Sequence, residues 1–181
     1  MNRINLLWKI NGMKEHRSSD YQALRKGRVS LENARYFITG CNKNRERILT
    51  KDLIPKYIFK SLQQCDASVE LIALVVMLDH IHLVIRLKSG SLTTAIQSFK
   101  SRSAIAINKV IPRSGPLWQP VSFDHKFRAD DDLAPILSYM WNNPEVPGQH
   151  FRCRKEEWLW FKSMVTLDVE YPEWLRKNPM G

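Results

Sequence analysis

Residues 69–87, VELIALVVMLDHIHLVIRL, contain two apolar, β-branched segments that are separated by Leu78 and Asp79. Residues with β-branched side chains favour strands, and aspartate favours tight turns. The stretch therefore predicts two paired strands, at 69–77 and 80–87, joined by a short turn. One long kinked strand is the alternative interpretation of the same pattern.

The segments around this pair extend the order of elements to β-α-β-β-α-β-α. Besides the strand pair we expect, in chain order, a strand at 35–41, a helix capped by Thr50, a helix capped by Ser91, a strand at 118–128, and a helix that follows Asp130, Asp131 and Asp132 and ends before Pro144. The first six elements match the ferredoxin-like βαββαβ pattern. The predicted fold class is therefore α+β, an antiparallel sheet with helices on one face, followed by one further helix.

Composition and charge indicate a folded protein with a polyanionic partner. The chain has 181 residues, enough for one domain with a sizeable core, and 28 Lys and Arg against 18 Asp and Glu give a net charge of +10. Between residues 86 and 128 there are eight basic residues and one acid, Asp124. Nucleic acid is the commonest partner of such a protein, and a merely soluble basic protein is the alternative.

Cysteine usage and hydropathy favour a soluble cytoplasmic protein. Cys41, Cys65 and Cys153 are odd in number and show no CxxC spacing, so reduced thiols are expected rather than a disulfide framework. The longest apolar run, at 71–78, is far short of the roughly 20 residues that span a bilayer. The first residues show no signal peptide.

Two histidines one residue apart, His80 and His82, are the first candidate site. Side chains at i and i+2 of a strand share a face, so the two imidazoles are expected side by side and suit a divalent metal. Histidines that bond to the backbone or to each other are the alternative. Asp79 is expected on the opposite face, which disfavours an unrelated metal hydrolase, and His125 is left out of the ligand set.

Tyr139 and Asn143 are the second candidate pair. Residues four apart lie on one face of a helix, so a phenol and an amide oxygen are expected to reach the same point. A metal-polarised phosphodiester there would be open to attack by the phenol. A buried aromatic residue followed by an Asn-Pro helix end is the alternative, and position alone favours it.

The motifs resemble those of a known family. The segment MLDHIHLVI at 77–85 is similar to the HUH motif of single-tyrosine transposases of small insertion sequences (U is a hydrophobic residue). Three further segments resemble the branch called REP-associated tyrosine transposases: YFIT at 36–39, WQP followed by FDH at 118–125, and YMWNNP with Gly148 at 139–148. Leu78 stands where a proline is common and Glu145 where a valine is usual.

The resemblance implies roles for the candidate residues. His80 and His82 would bind a Mg²⁺ or Mn²⁺ ion, Asn143 would complete the metal site, and Tyr139 would be the nucleophile. The implied activity is metal-dependent cleavage and rejoining of single-stranded DNA beside hairpins, such as REP palindromes or insertion-sequence ends, through a 5′-phosphotyrosine link. A domesticated hairpin-binding protein of the same fold, without strand transfer, is the alternative.

The expected domain organisation has three parts. Residues 1–28 form a basic N-terminal arm, residues 29–150 form the transposase domain, and residues 151–181 form a tail that packs on the domain. WLWFKS at 158–163 resembles the tail of the same branch, where packing is the expected role and an active-site cover the alternative. Whether the protein is a monomer or a homodimer is left open.

Overall fold

The computed structural model describes residues 30–51, 53–128, 131–143 and 159–161. They form one antiparallel sheet and three α-helices. The five strands are β1 (Arg35–Cys41), β2 (Val69–Val76), β3 (His80–Leu87), β4 (Phe123–Lys126) and β5 (Leu159–Phe161), in the spatial order β4-β1-β3-β2-β5. The first four strands have the ferredoxin-like arrangement, in which β1 and β3 are central, so the predicted fold is confirmed.

The strand pair at residues 69–87 is two strands rather than one kinked strand. β2 and β3 are antiparallel, and the turn between them is closed by a hydrogen bond from the amide of Met77 to the carbonyl of His80 (2.8 Å). The amide of Asn42 also donates to the carbonyl of Asp79 (2.8 Å). The turn is therefore hydrogen-bonded to the residue that follows β1.

The helices are α1 (Ile54–Gln63), α2 (Leu92–Val110) and α3 (Ala134–Asn142). Ser91 caps α2 as predicted, because its Oγ accepts a hydrogen bond from the amide of Thr94 (3.1 Å). Thr50 does not cap α1, which begins four residues later with Pro55 in its first turn. Proline is favoured there since the first amides of a helix have no partner within the helix.

The strand predicted at 118–128 is shorter than expected. Phe123–Lys126 pairs with β1 as a strand, while Trp118 makes an isolated bridge to Asn42. Pro120 lies between them, and a proline has no amide hydrogen to donate to a ladder. The aromatic alternation of this segment therefore continues in an irregular chain that packs on the core.

The two faces of the sheet carry different helices. Ile38 on β1 lines a small cavity together with Leu92 and Ile96 of α2, and it shares a face of the sheet with Ile81. α1 packs on α2. These two helices therefore cover the face that carries Ile38 and Ile81. α3 lies against the opposite face, where it contacts β2 and His82 of β3. The prediction of one further helix after the βαββαβ unit therefore corresponds to a helix on the histidine face.

Several predictions concern residues that the structure does not describe: the arm at 1–28, Pro144, Glu145 and Cys153, and most of the tail at 151–181. The exception in the tail is β5, which pairs antiparallel with β2 at the sheet edge. Among the described residues, no helix combines the length and the apolar character needed to cross a membrane.

Candidate active site

His80 and His82 lie side by side on the central strand β3. Their partners on β1 are Cys41 and Thr39, and the two ring centroids are 4.8 Å apart in an edge-to-face arrangement. Both side chains are buried, with 8% of His80 and 1% of His82 exposed. The alternation of the strand thus brings the imidazoles together, as the sequence predicts.

His82 is held by a polar and an aromatic contact. Its Nδ1 is 2.9 Å from the Oγ1 of Thr39, and its ring stacks on Phe37 at 5.3 Å. Burial holds the pKa of His82 well below its usual range, and the charges of His80 and Arg45 act in the same direction. The imidazole is therefore neutral, and a tautomer with Nδ1–H donating to Thr39 leaves the lone pair on Nε2.

Asp79 does not lie on the opposite face of the sheet, and that prediction is wrong. The residue precedes β3 in the turn, where strand alternation does not apply, and its Oδ1 is 2.6 Å from the Nδ1 of His80. Its Oδ2 pairs with the Nε of Arg45 at 2.9 Å. Burial opposes ionisation of Asp79, yet the hydrogen bond to His80 and the charges of His80 and Arg45 lower its pKa.

Tyr139 approaches the histidines from α3. Leu137 and Met140 of the same helix are fully buried, and this packing brings the Tyr139 hydroxyl to 3.4 Å from the Nε2 of His82. Burial raises the pKa of Tyr139 to about 12, and a hydrogen bond with the Asn143 side chain partly offsets it. Asn143 itself is 6% exposed. The predicted pairing of a phenol and an amide is present and faces the histidines.

The imidazole nitrogens and the amide oxygen of this site are donor types that bind divalent cations. Asp79 and Thr39 engage the Nδ1 atoms of the two imidazoles, so the Nε2 atoms are the ones suited to a metal. The side chain of Asn143 is hydrogen-bonded to Tyr139, and its amide oxygen is a third candidate metal donor. In the described part of the chain, no cluster of three or more His, Cys, Asp or Glu is placed to hold a metal. Two imidazole nitrogens and one amide oxygen are the donors that His80, His82 and Asn143 offer.

His125 lies on β4, opposite Phe37 in the register with β1. Its ring packs edge-on against Phe127 at 5.5 Å. The aromatic ring of Phe37 stacks on His82, so His125 stands one strand away from the pair. Its exclusion from the ligand set stays a prediction.

Part of the basic stretch at 86–128 is already bound by other groups of the protein. Several cations are bound by protein groups: Arg86 by Glu70, Lys88 by Asp66, Arg113 by Glu46, and Lys100 by the carbonyl of Gln119. Lys126 and Arg128, at the end of β4, are exposed. Three ion pairs thus offset part of the positive charge that the sequence places beside the histidines.

Sequence reasoning missed Thr39 and Arg45 as parts of the site. The pairing of β1 with β3 places Thr39 opposite His82, and no motif in the sequence gives that register. Arg45 follows β1 in a short 3-10 turn (Lys43–Arg45) and reaches Asp79 only because the chain folds back there. A role for Asp79 could have been predicted from the HUH-like segment, because Asp79 is an acid that directly precedes His80.

Comparison with known proteins finds one relative in sequence and two in structure. A protein of Haemophilus influenzae (strain ATCC 51907 / DSM 11121 / KW20 / Rd) named "Putative REP-associated tyrosine transposase" is 27% identical over 156 residues, which cover 80% of this chain and 88% of that protein. The structure of a REP-associated tyrosine transposase bound to a REP hairpin has a TM-score of 0.57 at 21% identity and covers 76% of each chain. A crystal structure of "a putative transposase" from Deinococcus radiodurans matches at a TM-score of 0.46 and 23% identity, over 72% of this chain and 97% of that one.

The family assignment follows from the match over the domain itself. Residues 30–131 match the family described as "Transposase IS200 like", and this range is more than half of the 181 residues. It contains the histidine pair and all four strands of the ferredoxin-like unit. The resemblance expected from the sequence motifs is confirmed, and the chain belongs to the family of IS200-like transposases.

Proposed function

We propose that this transposase cuts and rejoins single-stranded DNA beside hairpins, with Tyr139 as the nucleophile. The observation that carries the proposal is the approach of the Tyr139 hydroxyl to within 3.4 Å of the Nε2 of His82, across the interface between α3 and the sheet. A tyrosine that only packed in the core would not need a buried imidazole and a buried amide beside its hydroxyl.

We assign the metal ligands to His80, His82 and Asn143, and the ion to Mg²⁺ or Mn²⁺. When bound, the ion would act as a Lewis acid that polarises a phosphodiester. The low pKa of His82 keeps its imidazole neutral, as a ligand must be. Asp79 and Thr39 hold the two rings through their Nδ1 atoms, and the low exposure of all three proposed ligands limits their contact with bulk water.

Tyr139 is protonated at neutral pH, because its pKa is raised to about 12. In the proposed reaction its oxygen forms a bond to phosphorus while the bond from phosphorus to the 3′ oxygen breaks. The phenolic proton is lost and the departing 3′ oxygen gains one. A new DNA 3′-hydroxyl reverses these steps, so each phosphodiester bond broken is replaced by one of similar energy and no high-energy cofactor is required.

Single-stranded DNA with a hairpin is the proposed substrate. The net charge of +10 favours a polyanion, and the related structure is that of a transposase with a REP hairpin bound. Exposed Lys126 and Arg128 lie at the end of β4, which pairs with the strand that carries Thr39. We propose a cytoplasmic location, since Cys41 and Cys65 are both free thiols.

A cleavage assay with matched variants tests the proposal. Hairpin-bearing single-stranded DNA should be cut in the presence of Mn²⁺ and left intact with a chelator. Tyr139→Phe should bind the hairpin but not cut it, and His82→Ala should abolish cutting. Tyr57→Phe is the control, because Tyr57 lies on α1 and away from the histidine face. Hairpin binding without any cutting by the unaltered protein would instead indicate the hairpin-binding alternative.

A further inference from the structure

Three side chains form a continuous polar chain at the end of β1 and the start of β3. The Nε of Arg45 pairs with the Oδ2 of Asp79 at 2.9 Å, and the other carboxylate oxygen, Oδ1, is 2.6 Å from the Nδ1 of His80. The carboxylate therefore joins a guanidinium to a candidate metal ligand. Such partners behind a ligating imidazole fix its tautomer and its ring orientation.

The backbone at Arg45 is unusual. Arg45 has φ of 54° and the preceding Asn44 has φ of 59°, so two consecutive residues are in the left-handed region. Asparagine tolerates that region, whereas a long side chain such as arginine adopts it rarely. Residues held in this conformation cluster at functional sites, and here the conformation directs the guanidinium toward Asp79.

Arg45 is anchored to the sheet as well as to the turn. Its Nη1 donates to the Sγ of Cys41 at 2.9 Å, and Cys41 is the partner of His80 in the register between β1 and β3. The amide of Asn42 donates to the carbonyl of Asp79 at 2.8 Å. The guanidinium, the carboxylate and the imidazole thus have fixed positions relative to the strand that carries both histidines.

We propose that Asp79 and Arg45 are positioning residues for His80. Asp79 accepts a hydrogen bond from the Nδ1–H of His80 and so leaves the lone pair of that ring on Nε2. Arg45 holds Asp79 in the orientation that does this. The consequence for metal affinity rests on the proposed function, in which His80 is a ligand, whereas the effect on the tautomer does not.

The experiment measures two properties of each variant in the absence of DNA. The first is the His80 tautomer in the metal-free protein, read from imidazole ¹⁵N chemical shifts at a pH where the ring is neutral. The second is the dissociation constant for Mn²⁺. Asp79→Ala removes the acceptor, Asp79→Asn keeps an oxygen that can accept from Nδ1, and Arg45→Ala removes only the anchor.

The chain offers a matched control in a second ion pair. Arg86 and Glu70 are joined at 2.7 Å, and their side chains are 39% and 18% exposed, against 38% and 19% for Arg45 and Asp79. Glu70→Ala therefore removes an ion pair of the same kind and exposure at the other end of the pairing between β2 and β3, where Glu70 stands opposite Arg86. This variant controls for the general effect that the loss of such an ion pair has on the fold.

We expect Asp79→Ala to lose the Nδ1–H tautomer and to bind Mn²⁺ about 10- to 100-fold more weakly. Arg45→Ala should weaken binding less, Asp79→Asn should retain the tautomer, and Glu70→Ala should change neither property. If Asp79→Ala does not fold, Arg45→Ala and Asp79→Asn still test the claim, because both keep an oxygen beside His80.

An unchanged tautomer and Mn²⁺ affinity in folded Asp79→Ala would overturn the proposal, as would equal losses in Glu70→Ala. Failure of the unaltered protein to bind Mn²⁺ would refute the proposed metal site instead. In that case the tautomer shift alone decides whether Asp79 positions His80.

Discussion

Thr39→Val isolates the contribution of a single buried hydroxyl to the histidine site. Thr39 is 3% exposed and its Oγ1 is 2.9 Å from the Nδ1 of His82, which is itself 1% exposed. Valine has nearly the same shape but cannot form this hydrogen bond. His82 would then keep a buried Nδ1–H without an acceptor, or shift its proton to Nε2 and leave a bare Nδ1 in the same place.

Either outcome leaves one polar nitrogen unsatisfied in the core, which costs about 1–3 kcal/mol. The free energy of unfolding should fall by that amount, measured by urea denaturation. For a protein of this size the melting temperature should fall by about 2–4 °C per kcal/mol. The affinity for Mn²⁺ should fall as well, because a proton on Nε2 blocks the proposed ligand.

Thr39→Ser is the matched control. It keeps the hydroxyl and removes one methyl group, which costs about 0.8 kcal/mol of burial. The serine variant should therefore lose some stability but keep its Mn²⁺ affinity, whereas the valine variant should lose both. A valine variant as stable as the parent protein, with the same Mn²⁺ affinity, would refute the assigned role of Thr39.

Three further predictions concern the helices and the DNA. Ser91→Ala removes the α2 cap and should cost about 0.5–2 kcal/mol in urea denaturation, whereas Ser101→Ala on the exposed side of the same helix should cost nothing; equal effects would contradict the capping role. Leu137→Ala should destabilise the fold by about 2–5 kcal/mol, since Leu137 lies on α3 and is fully buried, and a loss too small to measure would show that α3 is not packed as described. Affinity for hairpin DNA, measured by fluorescence anisotropy, should fall about tenfold or more from low to physiological salt, and a flat response would contradict binding through phosphates.

The positions of β1, β2 and β3 and of the paired histidines followed from the sequence because they depend on local patterns. β-branched residues around Leu78 and Asp79 predicted the turn, and alternation along β3 placed His80 beside His82. The spacing of Tyr139 and Asn143 likewise predicted their contact within one helix. Each of these inferences needs only the geometry of a single element.

The parts of the site that the sequence did not predict depend on contacts between elements. Thr39 meets His82 through the register of β1 with β3, and Arg45 meets Asp79 through a left-handed turn. Asp79 was misplaced because strand alternation was extended one residue beyond the strand. In β4, Pro120 interrupts the ladder although the aromatic pattern around it continues.

The assignment of Tyr139 as the nucleophile is tested most directly by locating the covalent bond to DNA. Hairpin-bearing single-stranded DNA is incubated with the protein and Mn²⁺, the product is digested with a protease, and the DNA-linked peptide is identified by mass spectrometry. We expect a 5′-phosphate ester on the peptide that contains Tyr139, a released DNA strand with a free 3′-hydroxyl, and no adduct in Tyr139→Phe. An adduct on another residue, or one that persists in Tyr139→Phe, would contradict the account.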